Sequence, residues 1–304
     1  MNRSIRIGTR DSQLATWQAE TVSKKLKETG YTTEIVFVKS QGDLDLTTPL
    51  PEMGGKGVFT KALDDALLND EIDLAVHSYK DLPTENPLPL KVTAVIERED
   101  PRDSLVAPKG TDFLDDETIE AVIATSSNRR KAQWLHRYPN HRITNIRGNV
   151  NTRLRKIEEN EWHGAIFAAA GLKRIDLDHH ISEYLGWMVP APAQGAMAVM
   201  IRVEDKEMES IAGELNHAET ELCTGIEREL LNEMEAGCSA PVGAFAWLEG
   251  NDILLHAVAL KTDGTLKYDI ELKTPSDQAT GLGRKAAREL LEQGAYELVQ
   301  EVKE

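Results

Sequence analysis

Two kinds of residue in this chain have chemistry to offer: a cysteine, Cys238 in the segment MEAGCSAP, and cations set at the ends of strand-like runs. Cys238 can be a buried filler, a nucleophile or the attachment point of a covalent group. It follows a charged helical run, ETELCTGIERELLNEME, with Gly237 placed to cap the helix C-terminus. The negative end of a helix dipole disfavours a thiolate there, and no adjacent His or Lys compensates. A resting nucleophile is therefore disfavoured, whereas a thiol alkylated once by a strong electrophile needs no such activation. Cys223, inside the helical run on an apolar stretch, reads as core.

The cations recur at one kind of position. Arg10 follows a first strand-like run, and Lys80 follows another in HSYKDLP. Arg129 and Arg130 open a helix in TSSNRR, Arg147 and Arg153 bracket a helix start in IRGNVNTR, and Arg174 follows a strand in AGLKR. Lys56 and Lys61 flank the end of a long polar segment. In an open α/β sheet the carboxyl ends of strands line the ligand crevice, and helix N-termini present free N–H groups to anions. Singly, each Arg reads as a solvated surface residue; as a set they converge on a polyanionic ligand. The preference for Arg favours bidentate recognition of carboxylate or phosphate. Phosphate finds less support, because Gly54 to Gly57 lacks the P-loop pattern and no GxGxxG follows the first strand. Asp81, beside Lys80 and before Pro83, is the carboxylate able to stabilise developing positive charge and shuttle protons, although Asp before Pro is also a common turn former. His77 reads as packed or hydrogen-bonded rather than as a base.

These residues need elements to hold them. SIRIGT (4–9), TEIVFVK (33–39), DLAVH (73–77) and residues 90–96 read as strands, with helices whose apolar face includes Ala15, Ala19, Val22 and Leu26, and over 59–68. The grammar restarts after EREDP: strands over 121–125, 143–146 and 164–169, helices over 127–138 and 149–159. Such alternation predicts two α/β units with largely parallel sheets and a cleft between two lobes. Residues 188–194 (MVPAPAQ) return the chain to the first lobe. After Cys238, strands over 242–248, 252–260 and 266–272 and a helix over 276–294 predict a smaller α+β C-terminal domain. The expected division is 1–98 with 195–216, 99–194, and 217–304. Ser40 to Gly57 (SQGDLDLTTPLPEMGGKG) is polar, rich in Gly and Pro, and long for a compact domain, which suggests a functional lid.

Bulk composition narrows the class. A chain of 304 residues with 40% hydrophobic content can bury a core in two or three domains. Two cysteines are too few for a disulfide framework and fit no zinc spacing, so no metal is expected. Neither a signal peptide nor a spanning segment is present, which predicts a soluble cytoplasmic protein without membrane partners. With 51 acidic against 35 basic side chains, the net charge of −16 argues against nucleic-acid binding.

Together the segments IGTRDSQLATWQA, GGKGVFTK, DLAVHSYKDLP, EREDPRD, ATSSNRR, IRGNVNTRL, AAAGLKR, PAPAQGA and ERELLNEMEAGCSAP closely resemble the porphobilinogen deaminase (hydroxymethylbilane synthase) family. They stand in family order across nearly the whole chain. The resemblance implies two lobes like those of periplasmic binding proteins with a cleft, plus the C-terminal domain. It implies a dipyrromethane cofactor held as a thioether on Cys238, with Asp81 as the catalytic aspartate. Lys80, Ser127, Arg129, Arg130 and Asp43 would face the cofactor. Arg10, Ser12, Gln18, Arg147, Arg153, Arg174, Lys56 and Lys61 would face the substrate, porphobilinogen. The implied reaction is stepwise: ammonia leaves porphobilinogen to give an azafulvene, four units condense head to tail on the primer, and water releases hydroxymethylbilane. The implied enzyme is a monomeric transferase of tetrapyrrole and heme biosynthesis. One departure is Ala236, which stands where the family often has Gly. A non-catalytic anion-binding protein would share the lobes and arginines but needs no Cys238, and a cysteine acyltransferase lacks a placed His.

Overall fold

The computed structural model describes residues 3–39, 60–84, 87, 89–237 and 239–300. The segment Ser40 to Gly57, with Asp43 and Lys56, and Cys238 itself lie outside the described residues. Two compact units divide the chain: Met1–Glu99 with Ala196–Glu221, and Asp100–Gly195 with Leu222–Glu304.

The first unit begins with β1 (Ile5–Thr9), α1 (Gln13–Glu28), β2 (Thr33–Phe37), α2 (Lys61–Leu68), β3 (Leu74–Ser78) and β4 (Leu90–Ile96). After residue 195 the chain adds β10 (Met197–Arg202) and α6 (Lys206–Gly213). Its sheet runs β2-β1-β3-β10-β4, with β1 parallel to β2 and β3, and β10 antiparallel to both of its neighbours. A parallel pair needs a crossover, and α1 supplies it between β1 and β2. Its buried stripe Ala19, Val22 and Leu26 packs with Ile5, Ile7 and Leu74, and α6 adds Met208 and Ile211 to the same cluster. On the other face Leu63, Ala66 and Leu67 of α2 meet Ala75, Ile72 and Met200. Covering both faces explains why the central strands β3 and β10 are mostly apolar. At Gly8 an added Cβ would lie 2.3 Å from Ile72 Cδ1, so the buried Ile72 side chain would have to shift to admit any larger residue there.

The second unit holds β5 (Asp103–Val106), β6 (Val122–Ala124), α3 (Asn128–Arg137), β7 (Arg142–Thr144), α4 (Val150–Glu159), β8 (Gly164–Ala168), α5 (Ala169–Lys173) and β9 (Glu183–Leu185). Its sheet order is β7-β6-β8-β5-β9; β6 is parallel to β7 and β8, and β5 is antiparallel to β8 and β9. The long helix α7 (Ala218–Glu233) leads to a separate antiparallel sheet of β11 (Val242–Glu249), β12 (Asp252–Leu260) and β13 (Lys267–Pro275), followed by α8 (Leu282–Leu290) and α9 (Tyr296–Gln300). Ile253, Leu255, Ala257 and Ala259 of β12 point into a core with Ile226 and Leu230 of α7 and Leu282, Ala286 and Leu290 of α8; Cys223 is buried in it, as expected. The alternate residues Val258 and Leu260 pack against Ala132 of α3 and Val189. The expected α/β class with a smaller α+β portion is thus observed, but the sheets are not largely parallel. Each five-stranded sheet has two parallel and two antiparallel pairs, because β10 and β5 run against their neighbours and so need no crossover helix to join them. Among the described residues no helix is long and apolar enough to cross a membrane.

Helix α7 ends differently from its sequence expectation. Gly237 does not adopt a left-handed conformation; Glu235 does, at φ +50°. Glu235 N donates to Asn232 O at 2.9 Å and Ala236 N to Leu231 O at 3.0 Å, the paired bonds of a Schellman ending. Ala236 and Leu231 are both buried in the adjoining core, so the apolar contact that accompanies this motif fixes where the helix stops.

Candidate functional site

In the first unit, the carboxyl ends of β1 and β3 and the start of α1 enclose a small cavity of about 100 Å³. Arg10, Ser12, Gln18 and Asp81, four of the residues singled out from the sequence, line it together with Thr60, His77 and Ser78. Each is held by local rules. Ser12 takes extended backbone and caps α1, its Oγ accepting from Ala15 N at 3.3 Å. Thr9 Oγ1 donates to Ala15 O at 2.9 Å, which ties the strand end to the helix start. Gln18 is buried, and its Nε2 donates to Ser78 Oγ at 2.9 Å. Asp81 closes a 3-10 turn, Tyr79–Asp81, and is exposed, while Lys80 is half-buried in the same turn. That turn is anchored because Tyr79 N donates to Ala196 O at 3.0 Å.

His77 is the residue whose place here was missed. Its side chain is buried and its Nε2 finds no hydrogen-bond partner. Burial, with the Arg10 charge as the second cause, pushes its pKa down to about 4, so the ring is neutral near pH 7. Among the described residues the cavity therefore presents one cation, one carboxylate, a neutral imidazole and the N-terminus of a sixteen-residue helix. Such a set can hold an anionic arm and exchange a proton at Asp81. Lys61 lies outside the cavity lining: it is exposed at the start of α2 and pairs with Asp65 at 2.7 Å.

The second unit gathers the remaining predicted arginines at its strand ends. Ser127 caps α3, accepting from Arg130 N at 3.4 Å. Arg129 and Arg130 are both buried, and both reach the same carboxylate, Asp103 on β5. Arg129 Nη1 donates to Asp103 Oδ2 at 2.7 Å and to Val189 O at 2.8 Å. Arg130 Nε donates to Asp103 Oδ1 at 2.9 Å and its Nη1 to Ile166 O at 2.9 Å. Beyond β7, Gly148 at φ +113° makes the turn into α4, where Asn149 Oδ1 accepts from Thr152 N. Arg153 Nε donates to Gly148 O at 2.7 Å, so Arg153 and Arg147 flank one turn. Arg174 is buried after α5, its Nη2 donating to Gly195 O at 2.6 Å.

Asn128 Nδ2 donates to Ser239 O at 3.0 Å. The residue that follows Cys238 in the chain is therefore fixed to the first residue of α3, the helix that carries Arg129 and Arg130. Asp103 and this Asn128 contact were not foreseen. Asp103 stood in EREDPRD among several acidic residues, and nothing local separates a buried carboxylate from an exposed one.

The match to known proteins is full-length. Residues 5–210 match the family model described as porphobilinogen deaminase, dipyromethane cofactor binding domain, and residues 221–292 match porphobilinogen deaminase, C-terminal domain. A porphobilinogen deaminase of Desulfitobacterium hafniense is 43% identical over 99% of this chain and 98% of its own length. One from Chloroherpeton thalassium is 39% identical over 100% and 99%. Among solved structures, a double mutant of the VFT2 domain of Bordetella pertussis BvgS aligns at a TM-score of 0.42 and 14% identity over 70% of this chain and 86% of that one, too slight a likeness to add to the assignment. With both family models matched and such relatives alike from end to end, the chain belongs to the porphobilinogen deaminase family.

Proposed function

We propose that this chain is a transferase that deaminates porphobilinogen and condenses four molecules head to tail into hydroxymethylbilane, acting as a monomer in the cytoplasm. The observation that carries the reading is the end-to-end family match, joined to a cavity that gathers Arg10, Ser12, Gln18 and Asp81. Each pyrrole unit bears an acetate and a propionate, so a growing product accumulates carboxylates, and the arginines at strand ends answer that charge.

The dipyromethane domain named by the family model implies a dipyrromethane group, and the residues fit one. Arg129 Nε is a buried donor with no partner, as a site built for a further carboxylate would have. The Asn128 contact to Ser239 O supports Cys238 as the attachment point beside these cations. When bound, the group supplies the pyrrole carbon on which the product chain is built. Ser127, Arg129, Arg130, Lys80 and Asp43 are assigned to its carboxylates and ring nitrogens. Arg10, Arg147, Arg153 and Arg174, with Ser12 and Gln18, are assigned to porphobilinogen, as are Lys56 and Lys61.

Asp81 carries the proton work. As the C–N bond of the aminomethyl group breaks, ammonia takes the electron pair and the pyrrole nitrogen becomes cationic. The Asp81 carboxylate stabilises that charge and accepts the proton released after the new C–C bond forms. The segment Ser40 to Gly57 is assigned the part of a cover that keeps water from the electrophile.

Intact mass spectrometry of the purified active protein tests the assignment. The expected mass exceeds that of the bare chain by two pyrrole units, the addition maps to Cys238, and the protein reacts with Ehrlich's reagent. An active protein with the bare-chain mass would refute the cofactor assignment.

A further inference from the structure

We propose that Asp103 is a positioning residue for the ligand-binding arginines of the second unit, a role that rests on the reading of Arg129 and Arg130 just given. Asp103 opens β5 and is fully buried, and the mechanism above makes no use of it. Both of its oxygens are engaged: Oδ2 accepts from Arg129 Nη1 at 2.7 Å, and Oδ1 lies 2.7 Å from Arg130 Nη2 and accepts from Gln194 Nε2 at 3.0 Å. Gln194 is itself held, since the same Nε2 donates to Pro101 O at 2.8 Å. One carboxylate thereby sets the direction of two guanidinium groups on adjacent residues; Ile166 O takes the far side of Arg130, while Val189 O shares Nη1 of Arg129 with Asp103.

One feature separates this cluster from an ion pair that merely holds the fold. The side chains of Arg129, Arg130 and Asp103 are only 4%, 8% and 0% exposed, and an apolar replacement of similar volume would serve stability as well or better. The feature is the use of Arg129. Its Nη1 takes both Asp103 and Val189 O, while Nε, part of the opposite edge that bidentate carboxylates use, is a buried N–H with no partner. Asp103 orients Arg129 and leaves that edge for a ligand carboxylate. Without it the two guanidinium groups repel each other and lose their common anchor.

The test compares wild type, Asp103→Ala and Asp103→Asn in the full chain, by kcat/KM for porphobilinogen, by the fraction carrying the covalent adduct, and by Tm, with and without sodium formate. Misplacing binding groups by about 1 Å costs on the order of 100-fold, and this is the fall expected in kcat/KM for Asp103→Ala. Formate, a small carboxylate able to fill the space left by the side chain, is expected to restore kcat/KM saturably. Formate that raises the Tm of Asp103→Ala without moving kcat/KM or adduct would make the carboxylate purely structural and overturn the proposal. Should Asp103→Ala fail to fold, Asp103→Asn, which keeps the size and one acceptor but not the charge, decides the matter: wild-type kcat/KM and adduct in that variant overturn the proposal, and a loss in either with Tm retained supports it. A wild-type protein that does not consume porphobilinogen would strike the proposed function instead, and is seen without any variant.

Discussion

Acidification should weaken the first unit through His77, and the size of the effect follows from its burial. The imidazole has a pKa of about 4 in the folded chain against 6.5 for the free side chain. Because the folded value is the lower one, the unfolded chain binds the extra proton. Stability is then complete above about pH 6.5 and is lost as the pH falls towards about 4. Each pH unit across that window is worth about 1.4 kcal/mol, so the loss between about pH 7 and about pH 5 is about 2 kcal/mol, rising to about 3 kcal/mol at lower pH. His77→Leu removes the titrating group and with it the unpaired Nε2, so near neutral pH the variant should be no less stable than wild type. Urea unfolding of both proteins at about pH 7 and about pH 5 isolates the effect, since the carboxylates common to both largely cancel in the difference. Wild type should lose about 2 kcal/mol more than the variant. A wild-type-minus-variant difference that stays constant between the two pH values, or an imidazole NMR titration with its midpoint near 6.5, would refute the reasoning.

Three further substitutions probe separate links. Asp81→Asn should fold and carry the adduct, because Asp81 is exposed, yet lose turnover by about 100-fold or more; near-normal turnover in a steady-state assay would remove Asp81 from the mechanism. Glu235→Gly should raise stability by about 1 kcal/mol in urea unfolding, since a left-handed residue with a Cβ is strained by about that amount at φ +50°. Gly283→Ala should lower stability by about 1–3 kcal/mol, because the added Cβ would lie 2.1 Å from Ile226 O and force α8 away from α7; an unchanged Tm would show that the helices can part without cost.

The local grammar of the chain was legible because it depends on near neighbours. Alternation and apolar runs marked β1, β4 and β12, and the stripe Ala19, Val22 and Leu26 marked α1, since these periods are fixed by backbone geometry alone. Capping residues marked where α3 and α4 begin, at Ser127 and Asn149. The family motifs named Arg10, Ser12, Gln18 and Asp81, which the fold collects around one cavity.

Other features depended on partners far along the chain. The four-residue strand β5 carries too little pattern to stand out from a linker, and it becomes a strand only by pairing with β8 and β9. Asp103 has the same side chain as exposed Asp112; what differs is that Arg129 and Arg130 meet it across 26 and 27 residues in the buried interior. Glu227, in a helix that reads as amphipathic, is fully buried because Ala193 N and Ala246 N donate to its carboxylate from two separate segments. His77 reads as an ordinary strand residue until burial holds it neutral. The sequence by itself determined which residue types stand at which strand ends. Only the tertiary structure decided which of those charges are buried, paired or left with an open edge, because desolvation and charge pairing are set by groups distant in the chain.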